Sequence, residues 1–166
     1  MTEPAVPDLT RYVGGDVLVD TNILLLYIVG LLDPSVIPRF KRTKIFTVED
    51  FDELNYLLKR FRAVLTTPNI LTEVSNLGGQ LAEPLRSGFF TILARAIPLF
   101  TEQHIDSRRA SQIDRFITCG LTDAAILEAA SRDILVVTDD FRLAGFLRGR
   151  GAAVINFNNI RTFNWR

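Results

Sequence analysis

The sequence predicts an α/β fold, a three-layer α/β/α sandwich built on a mainly parallel, five-stranded sheet. In five short runs successive residues are apolar, so that both faces of a strand would carry apolar side chains. This is typical of strands whose two faces are both buried. Segments of helical periodicity separate these runs, and alternating strands and helices give a parallel sheet covered by helices. With 166 residues the chain can form one hydrophobic core, so we expect a single domain over residues 1–166.

The five strands are predicted from runs of apolar and β-branched residues. They comprise residues 17–19 (VLV), 63–67 (AVLTT), 97–101 (IPLFT), 134–138 (ILVVT) and 152–157 (AAVINF). Because helical segments connect these runs, we expect neighbouring strands to run in the same direction.

Two helices have recognisable start signals. Thr47 is followed three residues later by Asp50, which is the spacing of a capping box. Thr67 precedes Pro68, so that a cap residue stands before a proline at the first helical position. We expect this second helix to end near the glycine pair at residues 78–79.

Two segments lie outside the regular alternation of strands and helices. Residues 33–62 begin with two prolines and the basic cluster RFKRTK, and we interpret them as a helical insertion between the first two strands. Residues 158–166 are interpreted as a C-terminal tail. The apolar helical segment at residues 88–97 is a candidate face for a homodimer.

The composition excludes several kinds of site. Cys119 is the only cysteine and His104 the only histidine, so one chain cannot form a disulfide or a Cys/His zinc site. Basic and acidic residues balance at 19 each, so any binding of nucleic acid depends on local basic patches. The chain lacks both the pattern of a signal peptide and an apolar run of membrane length. We therefore expect a cytoplasmic protein that does not enter the membrane.

Acidic residues stand where strands give way to helices. Asp20 follows the first predicted strand, and Asp139 and Asp140 follow the fourth. The carboxyl ends of parallel strands form the edge of a sheet at which ligands bind. Glu73 and Asp123 interrupt helical stretches that are otherwise apolar. An acid in a first helical turn is commonly a cap or a dipole partner, which is the alternative interpretation of Asp123.

Several carboxylates at one edge repel each other unless a cation neutralises them. Ligands that are all oxygen suit Mg²⁺ or Mn²⁺. Such an ion lowers the pKa of its bound water and can clamp the oxygens of a phosphodiester. The acids therefore predict metal-dependent hydrolysis of a phosphodiester, a reaction that needs no histidine.

With these acids, the sequence resembles the PIN-domain family of metal-dependent nucleases. The family pattern is an Asp followed by Thr or Ser and Asn after the first strand, a helical Glu, a later helical Asp, and an acid after a strand that ends in Thr. The matching positions are Asp20-Thr21-Asn22, Glu73, Asp123 within LTDAAIL, and Thr138-Asp139-Asp140. Their order and approximate spacing agree with the family over about residues 17–157, so the resemblance covers nearly the whole chain.

The resemblance implies a PIN-like domain that is a divalent-metal-dependent endoribonuclease. It also implies that Asp20, Glu73, Asp123 and Asp140 are the catalytic ligands of Mg²⁺ or Mn²⁺. In the family the fourth acid commonly stands two residues beyond the threonine, which favours Asp140, with Asp139 as a neighbouring or substitute ligand.

The biological role implied by the resemblance has two forms. Many small bacterial members of the family are toxins inhibited by a partner antitoxin protein. This chain is longer than those compact toxins and carries the additional segment 33–62, so a role in RNA processing or regulation is equally open.

Three polar residues beside the acids are suited to orienting carboxylates or water. They are Thr21, Asn22 and Thr138. Thr138 has an alternative interpretation as a β-branched residue that simply favours a strand. Asn22 has an alternative interpretation as a cap of the following helix.

Basic and aromatic clusters are the candidate contacts to RNA, which we expect to be single-stranded. The basic candidates are Arg142, Arg148, Arg150, Lys41 and Arg42, and the first three come within ten residues after the fourth acid. Arginine binds phosphate through two hydrogen bonds at once, although a solvated charged surface has the same appearance. The aromatic residues Phe157, Phe163 and Trp165 could stack on unpaired bases or pack against the body or a second copy.

Two other functions share part of this pattern. Phosphatases of the haloacid-dehalogenase type also place an Asp after the first strand, but they need a second acid two residues later, where this chain has Asn22. That interpretation also leaves Glu73 and Asp123 unexplained. The second alternative is a catalytically silent PIN-like module that only binds RNA or protein.

Overall fold

A computed structural model describes residues 8–163, with side chains through Arg161, and it has the predicted α/β fold. The strands of its sheet are all parallel and helices cover the two faces. The five strands are β1 (Asp16–Val19), β2 (Ala63–Thr66), β3 (Thr101–Glu102), β4 (Leu135–Thr138) and β5 (Ala153–Asn156).

Helices connect the strands. In the part of the chain that the structure describes, the α-helices are α1 (Thr21–Leu32), α2 (Val48–Leu58), α3 (Pro68–Gly78), α4 (Leu85–Ala96), α5 (Ser107–Ala110), α6 (Phe116–Ala129), α7 (Phe141–Gly149) and α8 (Phe157–Phe163). None of the helices in this part is long and apolar enough to span a membrane.

The order of strands in the sheet reverses at its centre. The spatial order is β3-β2-β1-β4-β5, so the chain adds strands on one side of β1 and then on the other. Such a reversal leaves a crevice beyond the carboxyl ends of the two central strands, because their connections leave in opposite directions. The crevice lies between the ends of β1 and β4, which pair in the register Val19↔Val137.

The centre of the fold is unusually apolar. Every side chain from Val17 to Val19 is buried, as is every residue of β4. Helix α1 is buried on nearly all sides, because α2, α3 and α4 pack around it. This burial explains the long apolar run after Asn22, since a helix that is hydrophobic all round is a core helix.

The helix starts predicted from capping signals are confirmed. Thr47 and Asp50 form a capping box at the start of α2, in which each side chain accepts a hydrogen bond from the other residue's backbone N–H. Thr67 caps α3 by accepting a hydrogen bond from the Ile70 N–H at 3.2 Å. Helix α3 ends at Gly78, close to the predicted glycine pair.

The predicted strand at residues 97–101 is wrong for most of its length. Residues Ile97–Leu99 form a 3-10 turn that continues from α4, and β3 includes only Thr101–Glu102. The reason is Pro98, which has no N–H for the sheet ladder and has a fixed backbone φ angle. An apolar composition alone cannot distinguish a strand from a turn at the end of a helix.

The segment that was a candidate dimer face contributes to the core. Helix α4 buries Phe89, Leu93 and Ala96 inside the chain. Residues 33–62 also contribute to it, because they contain α2 and bury Phe46 and Leu54.

Helix α8 connects this segment to the crevice. The Arg161 Nε donates to the Asp50 carboxylate at 2.9 Å, and its Nη2 donates to the Ile45 carbonyl at 2.7 Å. Phe157 at the start of α8 is buried and packs edge to face on Phe46. Stacking of Phe157 on bases is therefore a wrong prediction, while the Phe163 side chain and Trp165 lie outside the described residues.

Helices α1 and α2 approach so closely at Gly30 that a side chain would not fit. A Cβ atom at Gly30 would lie 2.1 Å from the Phe51 ring. We predict that Gly30→Ala lowers the free energy of unfolding by about 1–3 kcal/mol, the usual cost of overpacking. Gly145→Ala on α7 is the matched control, because a Cβ there meets no atom within 4 Å.

Urea denaturation of both variants tests this close approach. Alanine has a higher helix propensity than glycine, so the free energy of unfolding of the control should rise by up to about 1 kcal/mol. A higher free energy of unfolding in both variants would contradict the close packing of α1 and α2.

Candidate metal centre

The acidic residues named from the sequence come to one place, the crevice between the ends of β1 and β4. Asp20 follows β1, and Asp139 and Asp140 follow β4. Glu73 of α3 and Asp123 of α6 approach from the flanking helices, since each interacts with this edge through a hydrogen bond or a charge. Two helices and two strand ends therefore carry one cluster of carboxylates.

Asp20 is the most buried acid of the cluster, with only 7% of its surface exposed. It caps α1, because its Oδ1 accepts a hydrogen bond from the Asn22 N–H at 3.1 Å. Burial raises the pKa of Asp20 to about 7, and repulsion from Asp139 and Asp123 adds to this effect. The hydrogen bond from the Thr138 hydroxyl to Oδ2 acts in the opposite direction by stabilising the charged form.

Thr138 is the last residue of β4 and connects two acids. Its buried hydroxyl donates to Asp20 and accepts a hydrogen bond from the Asp140 N–H at 3.0 Å. Thr138 therefore does more than favour the strand end, because one hydroxyl fixes the side chain of one acid and the backbone of another.

Two threonines hold Glu73. The Thr21 hydroxyl donates to one carboxylate oxygen at 2.9 Å, and the Thr122 hydroxyl donates to the other at 2.7 Å. These bonds connect α1, α3 and α6. Thr122 was missed by sequence reasoning, although its position directly before Asp123 was a usable signal.

Asp123 lies beyond a break in α6. Gly120 has a φ of +75°, a left-handed conformation that favours glycine, and a second helical segment continues beyond it. Burial raises the pKa of Asp123 to about 6, with further increases from Asp140 and Glu73, whereas the Arg142 charge lowers it. Asp123 lies three residues after Gly120, in the first turn of that second segment, so the alternative interpretation as a partner of the helix dipole stays open.

Asp139 and Asp140 have different surroundings. The Asp140 Oδ1 caps α7 by accepting from the Arg142 N–H at 2.7 Å and the Leu143 N–H at 3.1 Å. The Asp139 carboxylate accepts from the Asn22 amide at 3.2 Å. Burial raises the pKa of Asp139, and the hydrogen bond from Asn22 reduces that increase.

Asn22 therefore serves the cluster and does not cap α1. The cap position is occupied by Asp20, so the alternative interpretation of Asn22 as the helix cap is wrong. Its amide orients Asp139 across the crevice instead.

Two asparagines beside the cluster were also missed. Asn156 ends β5 next to Thr138 and is 1% exposed. Its Oδ1 accepts from the Asn158 N–H, while its amide nitrogen has no partner among the described atoms. The Asn158 amide donates to the Asp139 carbonyl at 2.8 Å. The rule that identified Asp20, a polar residue at the carboxyl end of a buried strand, would have identified Asn156.

Only one of the proposed basic contacts lies beside the acids. Arg142 is in the first turn of α7, and its charge acts on Asp123. Arg148 and Arg150 are at the other end of this helix, roughly 10 Å away at 1.5 Å per residue. Arg42 donates to Gln80 beyond the end of α3, and its neighbour Lys41 is exposed.

The side chains of the cluster are of the kind that binds a divalent cation. All the side chains concerned offer oxygen, which Mg²⁺ and Mn²⁺ prefer. Repulsion between the carboxylates contributes to the raised pKa values of Asp20 and Asp123, and a bound cation would relieve it. Among the described residues, however, no three acidic, histidine or cysteine side chains are arranged to hold a metal as they stand. Metal binding would therefore require movement of side chains.

Comparison with known proteins identifies no relative. No protein-family model matches the chain, and no curated protein matches its sequence. The resemblance to PIN-domain nucleases therefore depends on the pattern of acids and stays a prediction.

The raised pKa values predict how stability depends on pH without metal. Between about pH 4 and 7 the folded protein keeps protons on Asp20 and Asp123 that the unfolded chain has released. These two groups therefore lower the free energy of unfolding as the pH rises, until about pH 7. We predict that Asp20→Asn, which cannot ionise, raises the melting temperature by a few degrees at pH 7.5.

Thermal denaturation in EDTA measures this difference. The melting temperature of Asp20→Asn minus that of the wild type should increase between pH 5 and pH 7.5. The control is Asp133→Asn, which changes an exposed carboxylate at the opposite end of β4 and should show no such trend. An advantage of Asp20→Asn that shrinks with rising pH would contradict the assignment.

Proposed function

We propose that this protein is a divalent-metal-dependent endoribonuclease of the PIN-like type. The observation that carries the proposal is the buried Asp20 at the crevice between β1 and β4, with other acids close enough to raise its pKa. Burying a carboxylate among like charges is costly, and structures retain such groups most often where they have a function.

Asp20, Glu73, Asp123 and Asp140 would hold Mg²⁺ or Mn²⁺, with Asp139 as a neighbouring ligand. The bound ion would supply a water of lowered pKa and charge stabilisation for the phosphodiester. The chain's own residues would orient the carboxylates. Thr138 fixes Asp20, Thr21 and Thr122 fix Glu73, and Asn22 fixes Asp139.

RNA as the substrate follows from the resemblance to the PIN family, and Arg142 supports a phosphate ligand beside the acids. Arginine offers two parallel donors to a phosphate. As a cytoplasmic enzyme, the protein would act either as a toxin controlled by an antitoxin or in RNA processing. These two roles predict the same chemistry.

A second candidate function is a silent module that binds RNA or protein through the same fold. One observation favours it: among the described residues, no three potential ligands are arranged to hold a metal as they stand. Metal-dependent activity distinguishes the two functions.

Cleavage of single-stranded RNA in Mn²⁺ tests the nuclease directly. We predict that Asp20→Asn and Asp123→Asn each reduce the cleavage rate by a factor of about 100 or more, since second-shell changes alone cost 10- to 100-fold. Asp133→Asn should cleave as the wild type does. Equal rates for all four proteins would assign the activity to a contaminant, and no cleavage with any metal would favour the binding module.

The raised pKa values also predict that metal binding depends on pH. Mn²⁺ must displace the proton that Asp20 holds below about pH 7 and the proton that Asp123 holds below about pH 6. We predict that 1 mM Mn²⁺ raises the melting temperature more at pH 7.5 than at pH 5.5.

Asp20→Asn, measured with and without Mn²⁺ at the same two pH values, provides the control. Its response to Mn²⁺ should be smaller at pH 7.5 and should vary less with pH. A wild-type response that is equal at both pH values would exclude these two acids as ligands.

A further inference from the structure

Phe141 is the most exposed of the phenylalanines whose side chains the structure describes, with 67% of its surface accessible. Every other one is buried or partly buried. A single exposed apolar side chain needs no explanation by itself. The location of Phe141, at the mouth of the acid cluster, does need one.

The backbone at Phe141 is held in place by the cluster. Phe141 is the first residue of α7, directly after Asp140, whose carboxylate accepts hydrogen bonds from the next two backbone N–H groups. Arg142 follows and forms no ion pair within the described part of the chain. An exposed ring and a cation that acts on Asp123 only at longer range are thus adjacent to a fixed carboxylate.

A second exposed apolar group lies on the other helix that borders the cluster. Ile117 on the first turn of α6 is 94% exposed, and Leu121 is also exposed. Leu121 precedes Asp123 by two residues. Exposed apolar side chains therefore occur on α6, which contains Asp123, and on α7, which directly follows Asp140.

We propose that Phe141 stacks on an unpaired base next to the phosphate that is cleaved. This inference rests on the proposed function and adds a specificity-determining residue for its substrate. An aromatic ring binds any base face, provided that the base is not already stacked within a duplex. Arg142 binds the adjoining phosphate, so the pair selects single-stranded nucleic acid.

The setting favours a nucleic acid strand over a protein partner. The buried core of a protein–protein interface is depleted of Asp and Glu, although aromatic residues and Arg are enriched there. Here the exposed ring adjoins Arg142 and several carboxylates. The ring can contact a base, and Arg142 and the candidate metal site can contact the phosphates beside it, as a single strand offers them.

Binding of fluorescent oligonucleotides in Ca²⁺, which replaces Mg²⁺ to limit cleavage, tests the proposal. We predict that Phe141→Ala weakens binding of single strands by roughly 5- to 150-fold, the range for loss of one stacked base. Phe141→Tyr should restore binding, and Phe141→Leu should not. The matched control is Tyr56→Ala, since Tyr56 is equally exposed and lies beside Arg60, but on α2.

A scan with abasic nucleotides identifies the base concerned. Removing one base at a single position should weaken binding to the wild type and leave binding to Phe141→Ala unchanged. The proposal is overturned if abasic nucleotides weaken binding equally at all positions, or if Phe141→Ala binds as tightly as the wild type. Either result would favour a protein partner for the exposed Phe141. Failure of the wild type to bind any oligonucleotide overturns the proposed function together with this inference.

Discussion

The chemistry of the crevice depends on one constraint, the burial of a carboxylate at the end of a central strand. Asp20 follows β1, the middle strand of the sheet, and almost all of its surface is removed from water. A buried carboxylate is tolerated only when hydrogen bonds or an opposite charge compensate for lost hydration. Here the compensation comes from the Thr138 hydroxyl and the first turn of α1. Repulsion from Asp139 and Asp123 adds to the cost of this burial, whereas the charges of Arg142 and Arg161 act on those two neighbours.

Hydroxyl groups carry most of the organisation around the acids. Thr21, Thr122 and Thr138 each donate to a carboxylate, and each stands next to an acid in the sequence. A threonine can fix a carboxylate without neutralising it, because its hydroxyl brings no charge. The threonines therefore orient the acids without compensating for their charge. That combination is what a divalent cation requires of its surroundings.

The connections around the sheet give the crevice two different borders. On one side α8 and the segment 33–62 are joined by the Arg161–Asp50 pair, and Asn158 reaches the Asp139 carbonyl. Helices α6 and α7, which contain or directly follow other acids of the cluster, expose Ile117 and Phe141. The first border is a set of internal hydrogen bonds that fixes the strand ends. The exposed ring of Phe141 is the group that the proposed base stacking uses.

The sequence by itself determined the class of fold, the starts of α2 and α3, and the position of acids at the strand ends. These features depend on local periodicity and on caps formed within a few residues. Only the tertiary structure decided that β1 lies between β2 and β4, that Asn22 meets Asp139, and that Asn156 lies beside Thr138. It also placed Arg148 and Arg150 at the far end of α7 from the acids. The reason is physical: such contacts join residues distant in the chain, and their partners are chosen by how the helices and strands pack.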